Sequence, residues 1–108
     1  MSSFDLGAVP TFRELRVDKA QALKPLEEAA EVFGAWQLWR TNVNVKGRTI
    51  TPRYGESTAN YSRDCLLDEC ADVCQAIANL LAALGIDGDE WAAAVGRCEK
   101  RNRDRGRY

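Results

Sequence analysis

Apolar residues recur at helical spacing in two long stretches, LEEAAEVFGAWQLW at 26–39 and LLDECADVCQAIANLL at 66–81, and acids sit inside both patterns. Residues three apart on a helix share a face, so Glu28 with Glu31 and Glu69 with Asp72 each form a side-by-side pair. The first helix is expected to start at Lys24 or Pro25, where the missing proline N–H is harmless, and to run to about Arg40. Lys24, Glu28, Glu31, Ala35 and Leu38 fall on one stripe of it. The second is expected from Ser62 or Asp64, either a competent cap, to about Leu84, with Gly85 supplying the left-handed closing residue. Its apolar stripe is Leu66, Cys70, Val73, Ile77, Leu80, Leu81 and Leu84. A second stripe, about 100° away, carries Cys65, Glu69, Asp72, Ala76, Asn79 and Ala83. Acids flanked by alanines at the edge of an apolar face are not arranged like a solvated charge face. Packed together, two such helices gather four carboxylates around one point, where like charges repel and raise one another's pKa unless something positive lies between them.

The remaining pattern is weaker. Residues 1–10 read as an irregular lead interrupted by Gly7 and Pro10, and Thr11 can cap a helix FRELRVDKAQAL ending near Leu23. Residues 41–63 break the helical period. Val43, Val45 and Ile50 around Gly47 fit either a short hairpin or a long irregular loop serving as a lid. A last helix is expected from about Glu90 to Asn102, capped by Asp87 or Asp89, with Trp91, Val95 and Cys98 turned inward. The tail at 100–108 is dense in arginine and lysine, as a solvated helix end or a weak nucleic-acid patch would be. The fold class is therefore all-α: one domain over 1–108, a small bundle of about three to five helices with a long loop between the two acidic helices. A core this small gives such a bundle reason to oligomerise.

Composition narrows the chemistry. A formal net charge of −1, from 15 basic and 16 acidic residues, argues against a nucleic-acid or membrane specialist. The first residues lack the basic start and apolar run of a signal peptide, and no apolar run is long enough to span a bilayer, so the expected location is cytoplasmic. The absence of histidine removes Ser-His and Cys-His nucleophilic catalysis. Cys65, Cys70, Cys74 and Cys98 read as small buried apolar side chains; a zinc site is the alternative, without the paired C-x-x-C spacing of common zinc modules. An all-oxygen set made of the four acids suits magnesium or manganese better than zinc.

Three places together resemble the MazG-like superfamily of all-α nucleoside triphosphate pyrophosphohydrolases, which includes dCTP pyrophosphatases and dimeric dUTPases. LEEAAEVF is similar to its EExxE motif through Glu27, Glu28 and Glu31, LLDECADV to its (E/D)ExxD motif through Glu69 and Asp72, and KRNRDRGRY to its basic C-terminal motif through Lys100, Asn102 and Arg105. The interval between the acid motifs is longer than is usual in the family, which leaves the base preference open. The resemblance implies Mg²⁺-dependent hydrolysis, with Mn²⁺ able to substitute, of a nucleoside triphosphate to the monophosphate and pyrophosphate, by a homodimer or homotetramer. It implies metal binding by Glu28, Glu31, Glu69 and Asp72, and a general base in Glu27 or Glu31. Lys100, Asn102 and Arg105 are the expected phosphate contacts. Trp36 and Trp39 are expected either to stack on the base or to serve as core or subunit interface, and Asn79 either to reach the sugar or a metal-bound water or to join packed helices. Two other readings stay open: a catalytically silent nucleotide-binding member of the family, and a helical module binding nucleic acid through its tail.

Overall fold

The computed structural model describes residues 3–108 and is mostly helical, with three helices and one two-stranded sheet. Helix α1 spans Lys19–Thr41, strands β1 and β2 span Val43–Lys46 and Thr49–Pro52, helix α2 spans Glu56–Ala83, and helix α3 spans Gly88–Asp104. The expected helix from Phe12 to Leu23 does not form. Asp18 is the N-cap of α1, its carboxylate accepting the Gln21 N–H at 2.9 Å, and the residues before it run without regular structure along α2. Pro25 is inside α1 and bounds no helix. It deprives the helix of one internal hydrogen bond, a cost that packing of the flanking turns against α2 offsets.

The break at 41–63 is a hairpin followed by the first two turns of α2, so the all-α expectation fails here and the long loop is absent. Lys46 pairs with Thr49, leaving a two-residue turn in which Gly47 has φ +61° and Arg48 does not cross to positive φ. Glycine in the first central position is the signature of a type II′ turn, whose twist matches that of the strands it joins. Val43, 2 % exposed, anchors the hairpin against α1, and Arg40 Nη1 donates to its carbonyl at 3.1 Å.

Helix α2 begins at Glu56, well before the expected caps. Ser62 lies in the helix interior, fully buried, and its hydroxyl donates to the carbonyls of Thr58 and Ala59 at 3.1 Å each. That internal bond lets a polar side chain sit in a dry seam. At the other end the expected stop is observed: Gly85 takes φ +71°, and the N–H groups of Gly85 and Ile86 close on the carbonyls of Ala82 and Leu81. Asp87 caps α3 in a reciprocal box with Glu90.

The seam between α1 and α2 differs from the one the leucines suggested. On α1 the half-buried residues Gln21, Pro25, Glu28, Val32, Ala35 and Trp39 alternate four and three apart, and Arg40 beside the last is half-buried too. On α2 the buried residues are Ala59, Ser62, Ala76 and Asn79, so the stripe that carries the acids is the packed one. Small side chains let the two helices close tightly, and the leucines beside them flank the contact, half-buried or, at Leu84, exposed. Helix α3 makes no extensive contact with α1 or α2. Trp91, Val95 and Cys98, expected inward, are exposed, as is Cys70; all four cysteines are free.

Asn79, 3 % exposed, ties the N-terminal residues to this seam. Its Oδ1 accepts the Phe12 N–H at 3.0 Å and Gln75 Nε2 at 3.0 Å, and Gln75 Nε2 also donates to the Pro10 carbonyl at 2.7 Å. Asn79→Ala is expected to destabilise the protein by about 1–3 kcal/mol, the cost of stranding such donors. Limited trypsin digestion should then cut faster after Arg13 and Arg16; an unchanged cleavage rate there would mean that other contacts hold the segment.

Candidate metal centre

The packed seam brings the two acidic pairs face to face. One carboxylate oxygen from each of Glu28, Glu69 and Asp72 lies within 4.8 Å of the others, Glu28 and Glu69 half-buried and Asp72 exposed. Glu31, exposed on the flank of α1, lies near enough to Glu28 and Glu69 for its charge to raise the pKa of both. Among the described residues, Glu69 Oε2 is buried and has no hydrogen-bond partner. A buried acceptor with neither donor nor cation beside it is costly, so this oxygen marks where a positive group fits. The donor set is all carboxylate, which hard divalent cations such as Mg²⁺ and Mn²⁺ prefer.

The electrostatics agree with the crowding. Partial withdrawal from water, and then the charges of Glu31 and Asp72, push the Glu28 carboxyl above the ordinary glutamate range, while Lys24 pulls it back. The Glu69 carboxyl is likewise pushed up, first by lost hydration, then by Glu31, Asp72 and Glu28. Raised carboxyl values mean that the folded chain holds protons to higher pH than the unfolded chain. The stabilisation from this source is present below the ordinary range and lost as pH rises through the raised values. Metal-free protein is therefore expected to melt lower at about pH 7.5 than at about pH 5, and millimolar Mg²⁺ should restore more of the loss at the higher pH, where protons no longer compete for the ligands. Scanning calorimetry of wild type and Glu69→Gln would check this. An equally steep loss in the variant would place its origin outside the cluster.

An open cleft of about 630 Å³ adjoins the acids. Glu28 of α1 and Asp72, Gln75 and Asn79 of α2 line it, and Phe12 and Arg16 line it from the N-terminal segment. Phe12, Arg16 and Gln75 were not legible as site residues: the first two belong to a stretch whose spacing imitates a helix, and Gln75 resembles any polar residue on a helix. The only sequence signal was a pair of amides, Gln75 and Asn79, one turn apart among alanines.

The other sequence candidates have different surroundings. Glu27 pairs with Lys24 at 3.2 Å on the exposed side of α1 and is not part of the cluster. Trp36, 43 % exposed, stacks against Phe33 with ring centroids 6.0 Å apart, and Trp39 is half-buried in the α1–α2 seam. Lys100, Asn102 and Arg105 lie at the end of α3 and do not line the cleft. Lys100 is held by Asp104 at 2.8 Å, and Asn102 accepts from Arg107 at 2.8 Å. Within one chain the fold thus gathers Glu28, Glu31, Glu69, Asp72 and Asn79 but not the basic tail. No helix among the described residues is long and apolar enough to cross a membrane. Comparison of the chain with protein-family models, with curated proteins and with solved structures returns no match.

Proposed function

We propose that the protein hydrolyses nucleoside triphosphates to the monophosphate and pyrophosphate with Mg²⁺, or Mn²⁺ in its place, held by Glu28, Glu31, Glu69 and Asp72. The observation that carries this reading is the meeting of carboxylates from two helices around the unpartnered Glu69 Oε2. When bound, the cation supplies charge for the phosphate oxygens and acidifies a water. The chain's own residues then have definable tasks. Glu69 and Glu28, fixed on opposite helices by the alanine-lined seam, set the position of the ligand's phosphate end. Glu31 is exposed beside both and is free to take the proton of an attacking water, whereas Glu27 pairs with Lys24. The attack forms a bond to the α-phosphorus and breaks its bond to the bridging oxygen, which leaves with pyrophosphate.

The reading includes self-association into a homodimer or homotetramer, supported by the large apolar residues left exposed on α1 and by Trp91 and Val95 exposed on α3. In such an assembly the tail residues Lys100, Asn102 and Arg105 of one protomer serve a neighbour's cleft. Pyrophosphate release from a panel of common and modified nucleoside triphosphates, with Mg²⁺ and with chelator, tests the reaction. Release that requires Mg²⁺ supports it, and silence across the panel from folded protein that binds Mg²⁺ would replace it with a nucleotide sensor.

A further inference from the structure

The wall of the cleft formed by residues 9–18 has the features of a ligand-binding element. Asn79 uses its carbonyl oxygen twice, for Phe12 N–H and for Gln75, and two converging donors fix which end of the amide is oxygen. Its NH₂ group meets no acceptor among the described residues, although the residue is 3 % exposed and lines the cleft. That NH₂ group is reached by solvent at the cleft and is a donor free for an acceptor that a ligand brings.

Two side chains of the segment complement it. Phe12 lines the cleft yet is 61 % exposed, so its ring is not spent on the core. Arg16 lines the same cleft and forms no ion pair among the described residues, unlike Lys24 opposite, which Glu27 holds. Glu14 and Asp18 also border the space, but Asp18 is occupied in capping α1. The cleft is therefore lined by acidic side chains, an uncommitted guanidinium, a free amide donor and an exposed aromatic ring. Its volume is in the range that holds a nucleotide-sized ligand.

We propose that residues 9–18 form part of the nucleotide site, with Arg16 on a phosphate oxygen, Phe12 stacked on the base and the Asn79 amide donating to a base or sugar acceptor. This rests on the nucleotide reading of the acidic cluster and adds to it the element that selects the ligand. Arginine recognises phosphate through paired N–H bonds, and aromatic rings stack on any base. Anchoring of the Pro10 and Phe12 backbone by Gln75 and Asn79 holds Phe12 at the cleft before a ligand arrives, which lowers the ordering cost of binding.

The test compares wild type, Arg16→Ala and Phe12→Ala. Mn²⁺ binding alone is followed by electron paramagnetic resonance, and calorimetry follows the α,β-imido analogues of the four common deoxynucleoside triphosphates and inorganic triphosphate as a base-free probe. Both substituted side chains are exposed, so the fold and Mn²⁺ affinity should be kept. Arg16→Ala is expected to weaken nucleotide and triphosphate alike by about tenfold or more. Phe12→Ala should weaken the tightest-binding nucleotide by about tenfold and the triphosphate hardly at all. Intact Mn²⁺ binding with unchanged nucleotide affinity in both variants, or with no nucleotide binding by wild type, would overturn the role of the segment and leave the metal cluster standing. Failure of wild type to bind Mn²⁺ would overturn the metal reading and this proposal together.

Discussion

Glu69→Gln is expected to abolish Mg²⁺-dependent pyrophosphate release and, at neutral pH, to raise the melting temperature of the metal-free protein. The two effects have one cause. Glu69 carries a buried oxygen without a partner and shares its surroundings with Glu28, Glu31 and Asp72. Glutamine keeps the shape and removes the charge, and its NH₂ donates to a neighbouring carboxylate where the native group is repelled. The metal-free state therefore gains. The loaded state loses an anionic ligand, for which a drop of at least about 100-fold in metal-dependent turnover is reasonable, since even residues behind a ligand are worth 10- to 100-fold. Such opposition between stability and function marks an acid kept for binding, not for packing. Turnover that survives the change would remove Glu69 from the metal site. A lowered melting temperature of the metal-free variant would mean that the acid is a structural partner, contrary to its unpartnered oxygen.

The acid cluster was legible in the sequence because it depends only on helical periodicity and on α1 and α2 packing together: Glu28 and Glu69 needed nothing else to meet. The details of the packing were not. The Leu66 to Leu84 stripe is the more hydrophobic face of α2, yet Ala59, Ser62, Ala76 and Asn79 form the contact, since closeness of approach between two helices is set by the smallest residues. Ser62 could be read as a cap because its hydroxyl competes for backbone partners; in the fold it bonds backward along its own helix. Pro25 was a persuasive helix start, and the true one, Asp18, is seven residues earlier. The hairpin rested on one glycine in a stretch crowded with turn residues. The wall made by Phe12 and Arg16 was beyond reach, because it is fixed by Asn79 and Gln75, more than sixty residues away.

Sedimentation of the protein is expected to give a mass at least twice that of the 12.0 kDa chain, and Phe33→Asp combined with Trp36→Ser should return it to one. The single chain exposes 8563 Å², whereas a compact monomer of its mass exposes about 6,000 Å². Its radius of gyration is 17.0 Å, against about 13 Å for a compact chain of this length. The excess surface is as large as the area that stable homodimers bury. It is also apolar in the right place. Leu26 and Phe33 lie on the side of α1 turned away from the seam, with the Trp36 ring stacked on Phe33 beside it, and Trp91 and Val95 leave about half of their surface exposed on α3. Among the described residues only Val43, Ala59 and Ala76 are buried apolar residues, too few to hold three helices together in isolation. Aromatic anchors at the centre of an interface are worth about 2 kcal/mol or more each, so each of the two changes should weaken association about 30-fold or more. Because folding and association are coupled in such a chain, the wild-type melting temperature should rise with protein concentration and that of the double variant should not. A monomeric wild type with a concentration-independent transition would reject self-association, and with it the delivery of Lys100, Asn102 and Arg105 to a neighbouring cleft.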